Sequence, residues 1–128
     1  MPSFADYKAT ARQRGALALE LYVVTSTPVV PPHKMQELLP AHLDYQQARE
    51  ADRSLVLAGP LSDVSGENIE GAGLIVYRAE GLAAARALAE ADPMHSSGAR
   101  RYDLRRWLVN EGSLTLEVGL STGRVSLV

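Results

Sequence analysis

Two residues of this chain carry side chains suited to moving a proton. His42 lies in the stretch LPAHLDYQQA, residues 39 to 48, just after Pro40. An imidazole can take and return a proton near neutral pH. The sequence places it in the first turn of a helix, with Pro40 at the first helical position, where a missing N–H costs nothing. There the positive end of the helix dipole disfavours the imidazolium and leaves a neutral ring able to accept a proton. The same position equally suits a satisfied polar residue beside a core. Asp92 ends an alanine-rich run directly before Pro93. An Asp-Pro pair stops helices without any further role. A carboxylate that accepts from the far imidazole nitrogen would fix the tautomer of His42 and stabilise its cation, which is the work of the acid in a His-Asp dyad.

Other residues are secondary candidates. Gly59 and Pro60 are expected to turn the chain after a strand, and either shape a cleft by close backbone approach or simply reverse direction. Tyr45 stands one helical turn from His42, within reach of a ligand, although a tyrosine on an apolar stripe belongs more often to the core. His95 lies three residues past Asp92 on an expected loop, exposed and able to touch a substrate. His33 reads as a helix-start residue and Trp107 as packing. The three histidines lack metal-ligand spacing, and His42, Asp92 and His95 would have to converge through the fold to form a site. No metal and no cofactor is expected. The glycines of GENIEGAG (66 to 73) have the wrong spacing for a phosphate loop, and no GxSxG elbow occurs.

The elements that must position these residues follow from hydrophobic period. Ser3 and Asp6 have the spacing of a capping box, and Phe4, Tyr7 and Ala11 recur at helical intervals until Gly15. ALALELYVVTST (16 to 27) alternates and is rich in β-branched residues, so it is a strand. PVVPP (28 to 32) is a loop, residues 33 to 38 a short turn, and Pro40 opens a helix whose apolar stripe is Ala41, Tyr45, Ala48 and Ala51, with His42 at its edge. SLVLAG (54 to 59) is a short strand and LSDVSGENIEG (61 to 71) a polar loop. AGLIVYRA (72 to 79) is a strand, EGLAAARALAEAD (80 to 92) a helix, MHSSGA (94 to 99) a loop and RRYDLRRWLV (100 to 109) a strand. SLTLEVGLSTGRVSLV (113 to 128) forms a terminal hairpin around STGR.

The order strand, helix, strand, strand, helix, strand is the ferredoxin-like βαββαβ pattern, an α+β fold with helices on one face of an antiparallel sheet. The expected division is an N-terminal helical extension (1 to 16), the ferredoxin-like domain (17 to 110) and a C-terminal hairpin extension (111 to 128). Leucines and valines fall on both sides of the first and third strands. That pattern implies that a second copy covers the other sheet face in a homodimer, which the hairpin could extend to a higher oligomer.

With 128 residues, 46% of them hydrophobic and 22% charged, the chain suits one globular domain. A formal net charge of -2 and a pI of about 5.9 supply no general attraction for nucleic acid or an anionic membrane. The basic cluster RRYDLRR (100 to 106) is broken by Asp103 and alternates as a strand does. There is no cysteine, which removes disulfides and thiolate chemistry. The first residues contain no apolar h-region, and no run approaches a membrane span, so the cytoplasm is the expected address.

Four stretches in this order, LPAHL (39 to 43), LAGP (57 to 60), GAGLIVYRAEGLAAARALAEADP (71 to 93) and the strand ending at Trp107, resemble the YciI-like, or YCII-related, family. The similarity spans about residues 19 to 108. It implies a dimeric α/β barrel built from ferredoxin-like chains, and a cleft whose catalytic pair would be His42, in PAHL, and Asp92, in ADP. A related member is a dehydrochlorinase acting on a chlorinated hydroxyquinol, so the resemblance implies a small, cyclic or hydroxylated organic substrate. This chain departs from the pattern in PVVPPHKMQEL (28 to 38), longer than the family expects and a partial lid for the cleft, and in its appended helix and hairpin.

The reading that results is a cofactor-free enzyme in which His42 and Asp92 carry out general acid-base chemistry in an elimination, isomerisation or hydrolysis, with Gly59, Pro60, Tyr45 and His95 around the substrate. Its rival is a non-enzymatic, dimeric small-ligand-binding or interaction module that uses the same cleft. A metal-dependent oxygenase-like protein is a third possibility that elemental analysis would decide.

Overall fold

The structure, a computed structural model, describes residues 1–128. Its elements in chain order are α1 (Phe4–Gln13), β1 (Leu19–Pro28), α2 (Pro32–Ala51), β2 (Leu55–Ser62), β3 (Ile69–Tyr77), α3 (Leu82–Ala91), α4 (Pro93–Ser96), β4 (Arg100–Val109), β5 (Leu116–Val118) and β6 (Val125–Leu127). The chain divides into two units, Glu20–Trp107 and the combined termini Met1–Leu19 with Leu108–Val128. No helix is long and apolar enough to cross a membrane.

The larger unit is ferredoxin-like. Its four strands lie in the order β2-β3-β1-β4, and β3 runs antiparallel to both β1 and β2. Alternation along β1 turns Tyr22, Val24 and Ser26 to one face, where all three are buried. Cross-strand pairing sets Tyr22 beside Tyr77 and Val24 beside Ile75. Ala85 and Ala89 of α3 close over these residues to form the core. Two fully buried alanines let the helix approach the sheet closely, so a larger residue at either would overpack the core by about 1–3 kcal/mol. The opposite face carries Val23, Leu57, Leu74 and Val76 in adjacent register, and Leu57 is 64% exposed.

The largest departure from the sequence reading is at Pro40. Rather than a turn followed by a new helix, α2 is a 20-residue helix that starts at Pro32 and carries Pro40 inside it. Pro32 takes the N1 position that the sequence reading gave to Pro40. An interior proline leaves the carbonyl four residues earlier without its helical partner, at a cost of about 3 kcal/mol. Gln36 and Pro40 both lie on the exposed side, where water can satisfy that carbonyl. The inward stripe changes accordingly. Met35, Leu38, His42, Tyr45 and Arg49 are half-buried, whereas Ala41, Ala48 and Ala51 are exposed. His42 thus stands in the middle of the inward face and well inside the helix, beyond the first turn in which the dipole acts.

Three smaller corrections bear on the site. Strand β2 continues through Gly59 and Pro60, which pair with Leu74 and Gly73 instead of turning the chain. Part of the expected polar loop therefore joins the sheet, and its tip is a tight turn in which the Asp63 carboxylate accepts from Ser65 Oγ (2.5 Å), Asn68 Nδ2 (2.9 Å) and the Gly66 N–H (3.1 Å). The bonds from Ser65 and Asn68 hold the Asp63 carboxyl at about 2, below the ordinary 3.8. The expected loop after Pro93 holds the short helix α4.

In the terminal unit, Ser3 Oγ accepts the Asp6 N–H at 3.1 Å to cap α1, and Gly15 takes φ +87° just beyond its end. The Leu17 N–H donates to the Asn110 carbonyl at 2.9 Å. Strands β5 and β6 pair as an antiparallel hairpin, with Leu116 opposite Leu127 and Val118 opposite Val125.

Candidate active site

His42 comes from the inward face of α2 and Asp92 from the junction of α3 and α4. Asp92 is the N-cap of α4, with Pro93 at the first helical position, and its Oδ1 accepts the Met94 N–H at 2.9 Å. That bond fixes the carboxylate, whose side chain is wholly buried. Both of its oxygens lie 2.9 Å from His42 Nδ1. A carboxylate accepts and cannot donate, so Nδ1 carries the hydrogen and Nε2 keeps its lone pair. The His42 side chain is 17% exposed.

His42 lines a cavity of about 390 Å³. Helix α2 supplies one wall with Met35, Gln36, Leu39, Leu43 and Gln46. The wall formed by β2 and β3 combines the small residues Gly59, Gly71, Ala72 and Gly73 with the larger Pro60, Leu74 and Ile75. A Cβ at Gly73 would sit 3.2 Å from the Gly59 carbonyl oxygen, so the strands pass closely only because Gly73 has no side chain. Around Gly59 itself the space is open. Met94, Ser26 and Arg100 complete the lining. The segment expected to be a lid forms the first turns of α2 and contributes Met35 and Gln36.

A second polar chain runs beside the dyad. The His95 Nδ1 hydrogen is donated to the Ala89 carbonyl at 2.8 Å, which leaves Nε2 to accept from Ser26 Oγ at 2.8 Å. Ser26 Oγ in turn accepts from Arg100 Nε at 2.7 Å. Arg100 Nη2 also donates to the Ser26 carbonyl at 2.9 Å and to the Gly71 carbonyl. Burial lowers the proton affinity of the guanidinium below the ordinary arginine value, and the charge of Asp92 partly restores it.

Of the residues expected around a substrate, His42, Gly59 and Pro60 line the cavity, and Asp92 backs His42. Tyr45 and His95 do not line it. Tyr45 gives its hydroxyl hydrogen to the Leu88 carbonyl at 2.6 Å, under Arg49, whose Cζ is 4.9 Å from the ring centre. Burial raises the Tyr45 phenol above its ordinary value, an effect opposed by Arg49. His95 is buried rather than exposed, and its ring packs 4.7 Å from that of Tyr102. Both residues bind the framework. Ser26 and Arg100 escaped the sequence reading, although a serine at an inward position of β1, in register with Tyr22 and Val24, marks a polar group in need of a partner. No group of three or more His, Asp or Glu side chains is gathered as a metal site.

A four-stranded ferredoxin-like sheet, with the hydrogen-bonded pair of His42 and Asp92 beside a largely apolar cavity, defines a small α+β domain with a candidate site. The model of the YCII-related domain matches residues 18–108, and the chain belongs to that family. A solved structure similar in fold is that of 5-chloro-2-hydroxyhydroquinone dehydrochlorinase (TftG) from Burkholderia phenoliruptrix AC1100, in complex with 2,5-dihydroxybenzoquinone. It matches with a TM-score of 0.52 and 19% identity, over 68% of this chain and 92% of that one. No curated protein matches the chain.

Proposed function

We propose that this protein is an enzyme that uses His42 as general base and acid on a small cyclic or hydroxylated organic compound, with Asp92 holding the imidazole. The observation that carries this reading is the placement of both Asp92 oxygens 2.9 Å from His42 Nδ1, which leaves Nε2 as the basic atom of a cavity-lining ring. In an elimination, Nε2 takes a proton from the substrate and the freed electron pair expels the leaving group. The buried carboxylate stabilises the imidazolium until it returns its proton to solvent. An isomerisation uses the same base and then delivers the proton to another atom nearby. Apolar walls of methionine, leucine and backbone suit a flat ring. The dehydrochlorinase of similar fold makes hydroxylated, halogenated rings the first compounds to try.

The apolar register of Val23, Leu57, Leu74 and Val76 supports a homodimer, with that sheet face covered by a second copy. Sedimentation of wild type and Leu57→Arg tests it, since a dimer through this face dissociates when the charge is introduced.

Chloride release from 5-chloro-2-hydroxyhydroquinone and related chlorinated hydroxyquinols tests the enzymatic reading. Turnover by wild type that His42→Ala lowers roughly 10²–10⁴-fold supports it. Equal rates in the two proteins, or no turnover of any hydroxylated ring compound by wild type, would remove it in favour of a ligand-binding module.

A further inference from the structure

The cavity holds a cation that the acid-base step does not use. Arg100 spends three of its guanidinium hydrogens on Ser26 Oγ, the Ser26 carbonyl and the Gly71 carbonyl. All three acceptors are neutral. They hold the guanidinium plane against β1 and β3 and leave the two hydrogens on Nη1 for another partner. The acidic group whose charge reaches Arg100 is Asp92, and the oxygens of Asp92 are already engaged by His42 and the Met94 N–H.

Such an arrangement costs free energy unless something returns it. A half-buried guanidinium loses hydration, and neutral carbonyls recover only part of that loss. The bonds to Ser26 also fix the direction of the plane, so little side-chain entropy remains to be lost when a planar anion arrives. The remaining lining is mostly apolar, with Met35, Leu39, Leu43 and Met94 around the same space. An anion bound there meets a weakly screened charge.

We propose that Arg100 is the anion-binding residue of this cavity, and that the ligand it selects is a small organic carboxylate with a flat apolar body. The carboxylate takes the Nη1 side of the guanidinium, and the body of the ligand lies along the apolar wall. His42 Nε2, on the same cavity, is left facing the ring or chain that the carboxylate anchors. The substrate class this adds to the acid-base reading, on which it rests, is a ring acid, a hydroxylated ring that also carries a carboxylate. Arg100 contributes binding and orientation, while the proton is handled by His42.

The test compares two ligands of the same shape, benzoate and benzamide, by calorimetric titration of the full chain. Wild type is expected to bind benzoate roughly tenfold to a hundredfold more tightly than benzamide, the range of a charge-assisted pair. Arg100→Gln is expected to abolish that preference and leave benzamide affinity within about twofold of wild type. Arg100→Lys keeps the charge without the planar fork, and is expected to retain part of the preference and the fold. Equal affinities in wild type, a preference that survives in Arg100→Gln, or no benzoate binding at millimolar concentration would each overturn the proposal. The outcome is independent of the dyad. Loss of the benzoate preference alone removes the anion site, whereas unchanged turnover in His42→Ala removes the acid-base reading and leaves the anion site standing.

Discussion

His42 and Asp92, 50 positions apart in the chain, meet through a single ring nitrogen that lies 2.9 Å from each carboxylate oxygen. The same carboxylate caps α4 through the Met94 N–H, so one buried side chain both ends a helix junction and orients a histidine. These two duties can be separated by substitution. Asp92→Asn keeps an oxygen for the Met94 N–H but offers His42 a neutral partner that can present its amide hydrogens. The expected result is a folded protein with melting close to wild type and turnover lowered about as far as in His42→Ala. Asp92→Ala removes the cap as well and is expected to cost a further ~1 kcal/mol, read as the difference in denaturant midpoint between the two variants.

Ser26 links two elements through one hydroxyl, since it accepts from Arg100 and donates to His95. Ser26→Ala leaves the His95 Nε2 acceptor and the Arg100 Nε donor without this partner in a buried setting. The expected loss is about 1–3 kcal/mol, seen as a fall in Tm of several degrees. Ser26→Thr restores the hydroxyl on a strand that tolerates β-branching, and recovery of Tm in that variant separates the lost bonds from a packing effect.

Pro40→Ala restores an N–H able to reach the Gln36 carbonyl in the middle of α2. The folded helix gains up to about 3 kcal/mol, while the more flexible unfolded chain offsets about 0.4–1 kcal/mol of it. A net rise in stability is expected in urea unfolding. His42 is not displaced, because α2 is already continuous through residue 40, so turnover should stay at the wild-type level. A fall in stability would mean that proline is required for the path of the helix.

Asp63 gives a prediction in acid. Its folded value of about 2 lies below the ordinary 3.8, so its bonds stabilise the β2–β3 turn fully above about pH 4. That contribution is lost as pH falls through about 2. A carboxyl titration by NMR should place the Asp63 midpoint near 2. Asp63→Asn should remove the acid sensitivity of the amide signals of Ser65 and Gly66, whose groups bond to that carboxylate.

Elements set by local rules are legible in the sequence, and those set by distant partners are much less so. The cap at Ser3, the strand from Arg100 to Val109 and the terminal hairpin each follow from neighbouring residues, as does the order that defines the ferredoxin-like fold. Pro40 misleads because its cost is local while its tolerance depends on which side of the helix faces water. The error carries to the register, since a helix begun at Pro40 excludes Met35 and Leu38, the residues that reveal the inward stripe. His95 looks exposed among small polar residues, yet its partners are Ala89 on the preceding helix and Ser26 on a strand 69 positions away. Arg100 reads as one of several charges on a strand, because nothing near it in the sequence announces the carbonyl of Gly71.

The glycine-rich wall of the cavity limits how the shape of that space can change. Gly59, Gly71, Ala72 and Gly73 leave little or no side chain to shorten, so a substitution enlarges that wall chiefly at Leu74 or Ile75. At Gly73 there is no room for growth either, whereas at Gly59 a new side chain would meet nothing and would project into free space. Room for a larger occupant must therefore come from shortening Met35, Leu39 or Leu43 on the helical side, or Leu74 or Ile75 on the strands.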